Sequence, residues 1–270
     1  MELLFFVDER LPKALTDRFE ELANEVSIIY KNASVIYAGS TPISGISGSY
    51  FTNAGSIIRT TAEYGTQRDA GRMIGKIFEK LRRDGRRVVF FTTSDITRYS
   101  GDSGYLNFVF GCTDPTGIVI SMARFKQYPL ETQMIILSGL VMHEIGHVFN
   151  VAGDTMRANT VYNIGMHCTD ECCVMQQGLT AEQIRKNFSR TWKAHGKSRD
   201  LAGRYYCTLC REDIDRATSV RPLMPKRKAT TTVRPPMPKR KATTTVPAPM
   251  PKRKTTTTVP AQLPPRRAEH

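Results

Sequence analysis

Leu140-Val141-Met142-His143-Glu144-Ile145-Gly146-His147 ends an apolar run that begins at Leu130. The run predicts one long helix over 130–149. Two histidines four apart on a helix share a face, so both imidazoles can reach one ion. Glu144, one step from His143, then stands beside that ion without ligating it. This is the arrangement that zinc-assisted hydrolysis needs. The plain alternative is a buried helix with two incidental histidines. It leaves both rings in apolar surroundings without partners, and a metal would supply one.

A catalytic zinc takes three protein ligands and keeps one position open for water. His167, His195 and His270 are the other histidines. His270 lies at the end of a basic tail, and His195 sits in the charged stretch Lys193-Ala194-His195-Gly196-Lys197. His167 is therefore the best third ligand, with Asp154 the runner-up. In that reading Glu144 is the general base, taking a proton from water and passing it to the leaving amine. Hydrolysis of peptide bonds is the natural reaction class, with a peptide or protein as substrate.

The cysteines add a second cluster. Cys168 follows His167, Cys172 and Cys173 come soon after, and Cys207-Thr208-Leu209-Cys210 closes the set. Two cysteines separated by four residues and a later Cys-x-x-Cys fit a four-cysteine zinc site. Buried free thiols are the competing reading. Cys172 is a spare beside Cys173. Cys112 reads as a small buried residue, with a thiol near the cleft as the lesser alternative.

The formal charge of +14 is unevenly placed. Residues 221–270 carry 13 Lys/Arg against one acid, a net +12, and leave residues 1–220 nearly neutral at +2. From Leu223 the unit Met-Pro-Lys-Arg-Lys-Ala-Thr-Thr-Thr-Val recurs with a 13-residue period, starting at Met224, Met237 and, with Thr255 in place of the alanine, Met250. Such a unit has too little apolar surface to offset its ordering entropy, and we expect a disordered tail over 221–270. Its basic clusters suit an import receptor, an anionic surface or nucleic acid held non-specifically, since the tail has no aromatics for base stacking. No run approaches the roughly 18 apolar residues of a membrane span. The N-terminus reads as a first strand rather than an export signal. Six cysteines without such a signal point to a reducing, intracellular compartment: cytoplasm, or nucleus in a eukaryote.

Short apolar runs at 3–7, 26–30, 88–91, 106–110 and 117–121 predict strands. Helical spacing marks 12–24, 68–84 and 130–149, and Thr180-Ala181-Glu182-Gln183 has the form of a capping box opening a helix through Trp192. The stretch 34–56 reads as a loop or hairpin. The fold class is α/β or α+β, with helices packed on one twisted mixed sheet. Residues 1–220 form one domain and 221–270 the tail. Were 117–121 an edge strand, it could pair with an extended peptide. An inner strand could not, and both readings stay open.

Taken together, these motifs resemble those of the archaemetzincins, a branch of the metzincin metallopeptidases. The resemblance rests on His143, Glu144, His147, His167, Cys168, Cys173, Met175, Cys207 and Cys210. The segments 106–111 and 120–125 also look like the strand pair that precedes the active-site helix in that family. Membership would imply a zincin-like domain with two zinc ions. His143, His147 and His167 would hold a catalytic zinc, with Glu144 as general base. Cys168, Cys173, Cys207 and Cys210 would hold a structural one, and Met175 would sit in a Met-turn beneath the catalytic metal.

Three departures stand out. Asn150 replaces the family's glycine, a mild change because Asn tolerates left-handed backbone. Between His147 and His167 lie 19 residues against the family's five. Closing the longer loop costs about 1 kcal/mol more, small beside the roughly 10 kcal/mol with which structural zinc sites bind. Between Met175 and Cys207 lie 31 residues, also a longer gap than the family's. The insertion keeps an alternative alive: a zinc protein with a decayed peptidase centre, associated with nucleic acid through its tail.

Overall fold

In a computed structural model of the chain, residues 1–8, 10–37, 56–81, 86–100, 104–162 and 165–219 are described. Strand β1 (Glu2–Val7) is followed by helices α1 (Lys13–Thr16) and α2 (Phe19–Ile29), then strands β2 (Ser34–Tyr37), β3 (Ile57–Thr61) and β4 (Gly65–Asp69). Helix α3 (Ala70–Leu81) leads to β5 (Arg87–Thr92), β6 (Asp95–Thr97), β7 (Gly111–Asp114) and β8 (Gly117–Ser121). Helix α4 (Leu130–Val148), strands β9 (Thr160–Tyr162) and β10 (Met166–Cys168), and helices α5 (Ala181–His195), α6 (Leu201–Tyr205) and α7 (Thr208–Ser219) complete the order. The chain divides after Leu223. The expected tail, 221–270, lies outside the described residues.

Five strands form the main sheet in the order β2-β1-β5-β8-β7. The first four run parallel, and β7 pairs antiparallel with β8 at the edge. Alternation along each strand sends side chains to two separate cores. Leu3, Phe5, Val7, Val89, Phe91, Ile118 and Ile120 join one core with α1, α2 and α4, whereas Leu4, Phe6, Val88, Phe90 and Val119 meet α3 on the other face. Burial on both sides explains why these strands read as unbroken apolar runs. A smaller sheet, β3-β4-β6, lies alongside.

Several expectations are corrected. Residues 26–29 are helical, not a strand: Leu15, Phe19, Leu22, Val26 and Ile29 are all buried and continue one helical stripe. The second strand is Ser34–Tyr37. The rest of the predicted 34–56 loop, 38–55, lies outside the described residues. Residues 106–110 form no strand, only an isolated bridge from Val109 to Ile96. The hairpin before α4 is instead β7–β8. Arg68 and Asp69, expected to start a helix, end β4. Strand β8 is an inner strand, so the peptide-pairing role conjectured for 117–121 is not open to it; the edge belongs to β7.

Candidate metal centre

Helix α4 is buried over residues 136–146, which places its motif inside the protein. His143 donates its Nδ1–H to the carbonyl of Val174 at 2.6 Å, so its Nε2 lone pair faces away from that contact. That Nε2 lies 3.1 Å from Nε2 of His147. His167 reaches the same place from β10, with Nδ1 3.1 Å from the carbonyl of Gly165. The three ring centroids are 4.7, 5.1 and 5.3 Å apart, and one nitrogen from each ring lies within 4.8 Å of the others.

The arrangement suits an ion. Tetrahedral Zn–N bonds of about 2.0–2.1 Å would set nitrogens roughly 3.3 Å apart, close to the observed His143–His147 separation. Burial depresses the pKa of all three imidazoles, and neighbouring histidines depress His147 and His167 further, His167 to about 4. At neutral pH each ring is uncharged and offers a lone pair, the form in which histidine binds metal.

The 19-residue excursion closes without displacing His167. Helix α4 ends with Phe149 and then Asn150, whose φ of 56° is the left-handed conformation expected there. The chain then forms the β9–β10 hairpin, in which His167 pairs with Val161 and Cys168 with Thr160. Asp154, the runner-up ligand, accepts instead from the backbone N–H of Met156. Among the described residues it is no part of the histidine cluster, and neither is His195, in the last turn of α5. His270 lies outside the described residues.

Glu144 is buried beside this cluster. Its Oε2 accepts from Thr113 Oγ1 at 2.5 Å. Gly111 leaves the space the carboxylate occupies: a Cβ there would stand 2.0 Å from Glu144 Oε1. Burial pushes the Glu144 carboxyl up to about 7, against the opposing pull of Thr113 and the more distant charge of Arg98. Met175 is fully buried, and its sulfur fills the place a side chain at Gly146 would take. A cleft of about 820 Å³ opens over the histidines and Glu144, walled by β7 on one side and by 177–180 on the other.

The second cluster adjoins the first through consecutive residues of β10, His167 and Cys168. Sγ atoms of Cys168, Cys173, Cys207 and Cys210 all lie within 4.8 Å of one another, and Cys168 and Cys207 are 3.7 Å apart. Zn–S bonds of about 2.3 Å in a tetrahedron would give roughly 3.8 Å. The sulfurs are too close to ionise independently: mutual hydrogen bonds hold Cys168 and Cys207 below the ordinary thiol range and Cys173 and Cys210 above it. Cys172 is half-buried and outside the cluster. Cys112 packs into the other core, on the α3 side, where burial raises its thiol to about 12.

Sequence reasoning missed Thr113, Gly111 and the carbonyl of Val174, which act through contacts between distant segments. It also missed Arg157 and Asn159, which donate to the sulfurs of Cys210 and Cys168.

No protein-family model matches the sequence, and no curated protein matches it. Solved structures do. The archaemetzincin of Methanopyrus kandleri superposes with a TM-score of 0.51 at 21% identity, over 82% of this chain and 96% of that one. A zinc-dependent peptidase of Methanocorpusculum labreanum gives 0.47 at 18%, over 78% and 99%. The archaemetzincin of Archaeoglobus fulgidus, complexed with malonate, gives 0.44 at 19%, over 79% and 99%. The first of these establishes the fold.

Proposed function

We propose that this chain, which has the fold of an archaemetzincin, is a zinc-dependent peptidase. The observation that carries the reading is the convergence of His143, His147 and His167 next to a buried carboxyl group. A zinc ion so held supplies Lewis acidity, enough to bring the ionisation of water to about pH 7.

The chain's own residues do the rest. Glu144 accepts a proton from water and delivers it to the leaving nitrogen. Thr113 fixes which way the carboxyl faces. Strand β7 lies at the sheet edge and walls the cleft, so its backbone is placed to pair with an extended peptide. The cysteine set is a structural zinc site, closed to water. The ring of His167 beside the other two speaks against the decayed-centre reading, whose support was the length of the insertion.

The test is a pair of variants. Glu144→Ala should lower kcat on a peptide substrate by about 10²–10⁴-fold while bound zinc stays at the wild-type level. His143→Ala should lose one zinc and keep the fold. Wild-type activity in Glu144→Ala would remove Glu144 from the chemistry.

A further inference from the structure

Strand β10 serves two clusters at once. Consecutive residues on a strand point to opposite faces, so His167 turns toward the histidines and Cys168 toward the other cysteines. The segment before it, inserted after α4, does not loop freely over the surface. Val151 and Ala152 are buried, and the Ala152 N–H donates to Asp213 Oδ2 at 2.9 Å.

Arg157, at the middle of the insertion, is nearly enclosed. Its guanidinium pairs with Asp213, donates to the carbonyl of Leu209 at 3.0 Å and donates to Cys210 Sγ at 3.2 Å. Two residues on, Asn159 Nδ2 donates to Cys168 Sγ at 3.4 Å, and the Asn159 carbonyl accepts from the N–H of Thr169 at 2.9 Å.

The charge balance gives these contacts a purpose. Four thiolates around a divalent zinc leave a net charge of −2. Asp213 already has a second cationic partner in Arg216, so Arg157 is not needed merely to neutralise it. A buried guanidinium with one N–H aimed at a sulfur fits a metal-bound thiolate cluster better than four protonated thiols.

We propose that the insertion couples the two metal centres. Arg157 and Asn159 tie it to the cysteine sulfurs, and metal held by the cysteines fixes the hairpin that presents His167. Both are positioning residues, since neither touches a histidine of the cluster. The proposal rests on the reading above, that each cluster holds a metal ion. It assigns the insertion a role: occupancy of the cysteine site sets the affinity of the histidine site. By linkage the effect is reciprocal.

The experiment is a zinc titration of the full, metal-free chain against a competing chelator, with His143→Ala identifying the histidine-site step. Arg157→Met, Asn159→Ala and Cys207→Ser are then titrated in the same way, with far-ultraviolet circular dichroism as the check on folding. The expected result is histidine-site affinity weakened about tenfold or more, the usual effect of losing a group that orients a metal ligand. Arg157→Lys, which keeps the charge but loses the fork, should recover part of the loss. Should Arg157→Met fail to fold, Asn159→Ala and Cys207→Ser decide the matter. Two zincs in wild type with unchanged histidine-site affinity in those variants overturns the coupling alone. A single zinc in wild type, indifferent to His143→Ala, overturns the peptidase reading and the coupling with it.

Discussion

Gly146 leaves room for the sulfur of Met175, which would stand 2.4 Å from a Cβ at that position. Gly146→Ala should therefore overpack the contact with Met175 and cost about 1–3 kcal/mol in denaturant unfolding; an unchanged midpoint would show that Met175 can move aside. Glu144 permits a test by pH. In an unfolded chain it ionises near 4.5, but buried in the folded, metal-free protein it ionises near 7. At Glu144 the folded state thus keeps a proton that the unfolded chain has lost between those values, so this group's contribution to stability falls as pH rises through that window. Glu144→Gln removes this penalty, so the metal-free variant should match wild type near pH 4 and exceed it by about 3 kcal/mol above pH 7. Equal unfolding curves at pH 8 would contradict the raised pKa. Of these residues, His143, Glu144 and His147 were legible because their spacing is local. Thr113 and Gly111 were not, because what they do depends on a strand meeting a helix residue, Glu144, that lies 31 positions beyond Thr113 in the chain.

At the scale of elements, helix α4 is held from behind by a buried pair of tyrosines. Tyr206 donates to the carbonyl of Met142 at 2.6 Å, and Tyr30 meets the Tyr206 hydroxyl at 2.6 Å. Tyr206→Phe leaves the Tyr30 hydroxyl buried without that partner and should cost about 1–3 kcal/mol, measured by urea unfolding; a loss below a few tenths would mean that water replaces the bond. This tie joins the segment before α7 to the metal helix, and no sequence pattern announces it. Patterns did reveal α4, α3 and the α5 capping box, which forms as Thr180 and Gln183 predict. They failed at 26–30, where β-branched residues sit within a helical stripe fixed by packing. They failed again at 106–110, where an apolar run lines the cleft without joining a ladder.

Across the whole molecule, the layer arrangement was readable from the alternation of apolar runs and amphipathic stretches, but the strand order was not. Runs such as Leu3 to Val7 and Val88 to Phe91 identify strands buried on both faces. Nothing in them says that β1 lies between β2 and β5, since that choice is made by the helices that cover each face. The order has a kinetic consequence. Phe5 must meet Val89 across more than eighty residues of chain, and β5 must meet β8 across nearly thirty, before either gains a ladder. Among the described strands of the main sheet, only β7 and β8 are joined by a tight turn. Distant pairings of this kind lose entropy before contacts repay it, so refolding should be slow, on the order of milliseconds to seconds. The β7–β8 hairpin, the wall of the cleft, should take shape ahead of the parallel strands. Stopped-flow circular dichroism and pulse-labelled amide exchange would check both points: protection at Thr113 no earlier than at Phe5 would mean that assembly begins in the middle of the sheet.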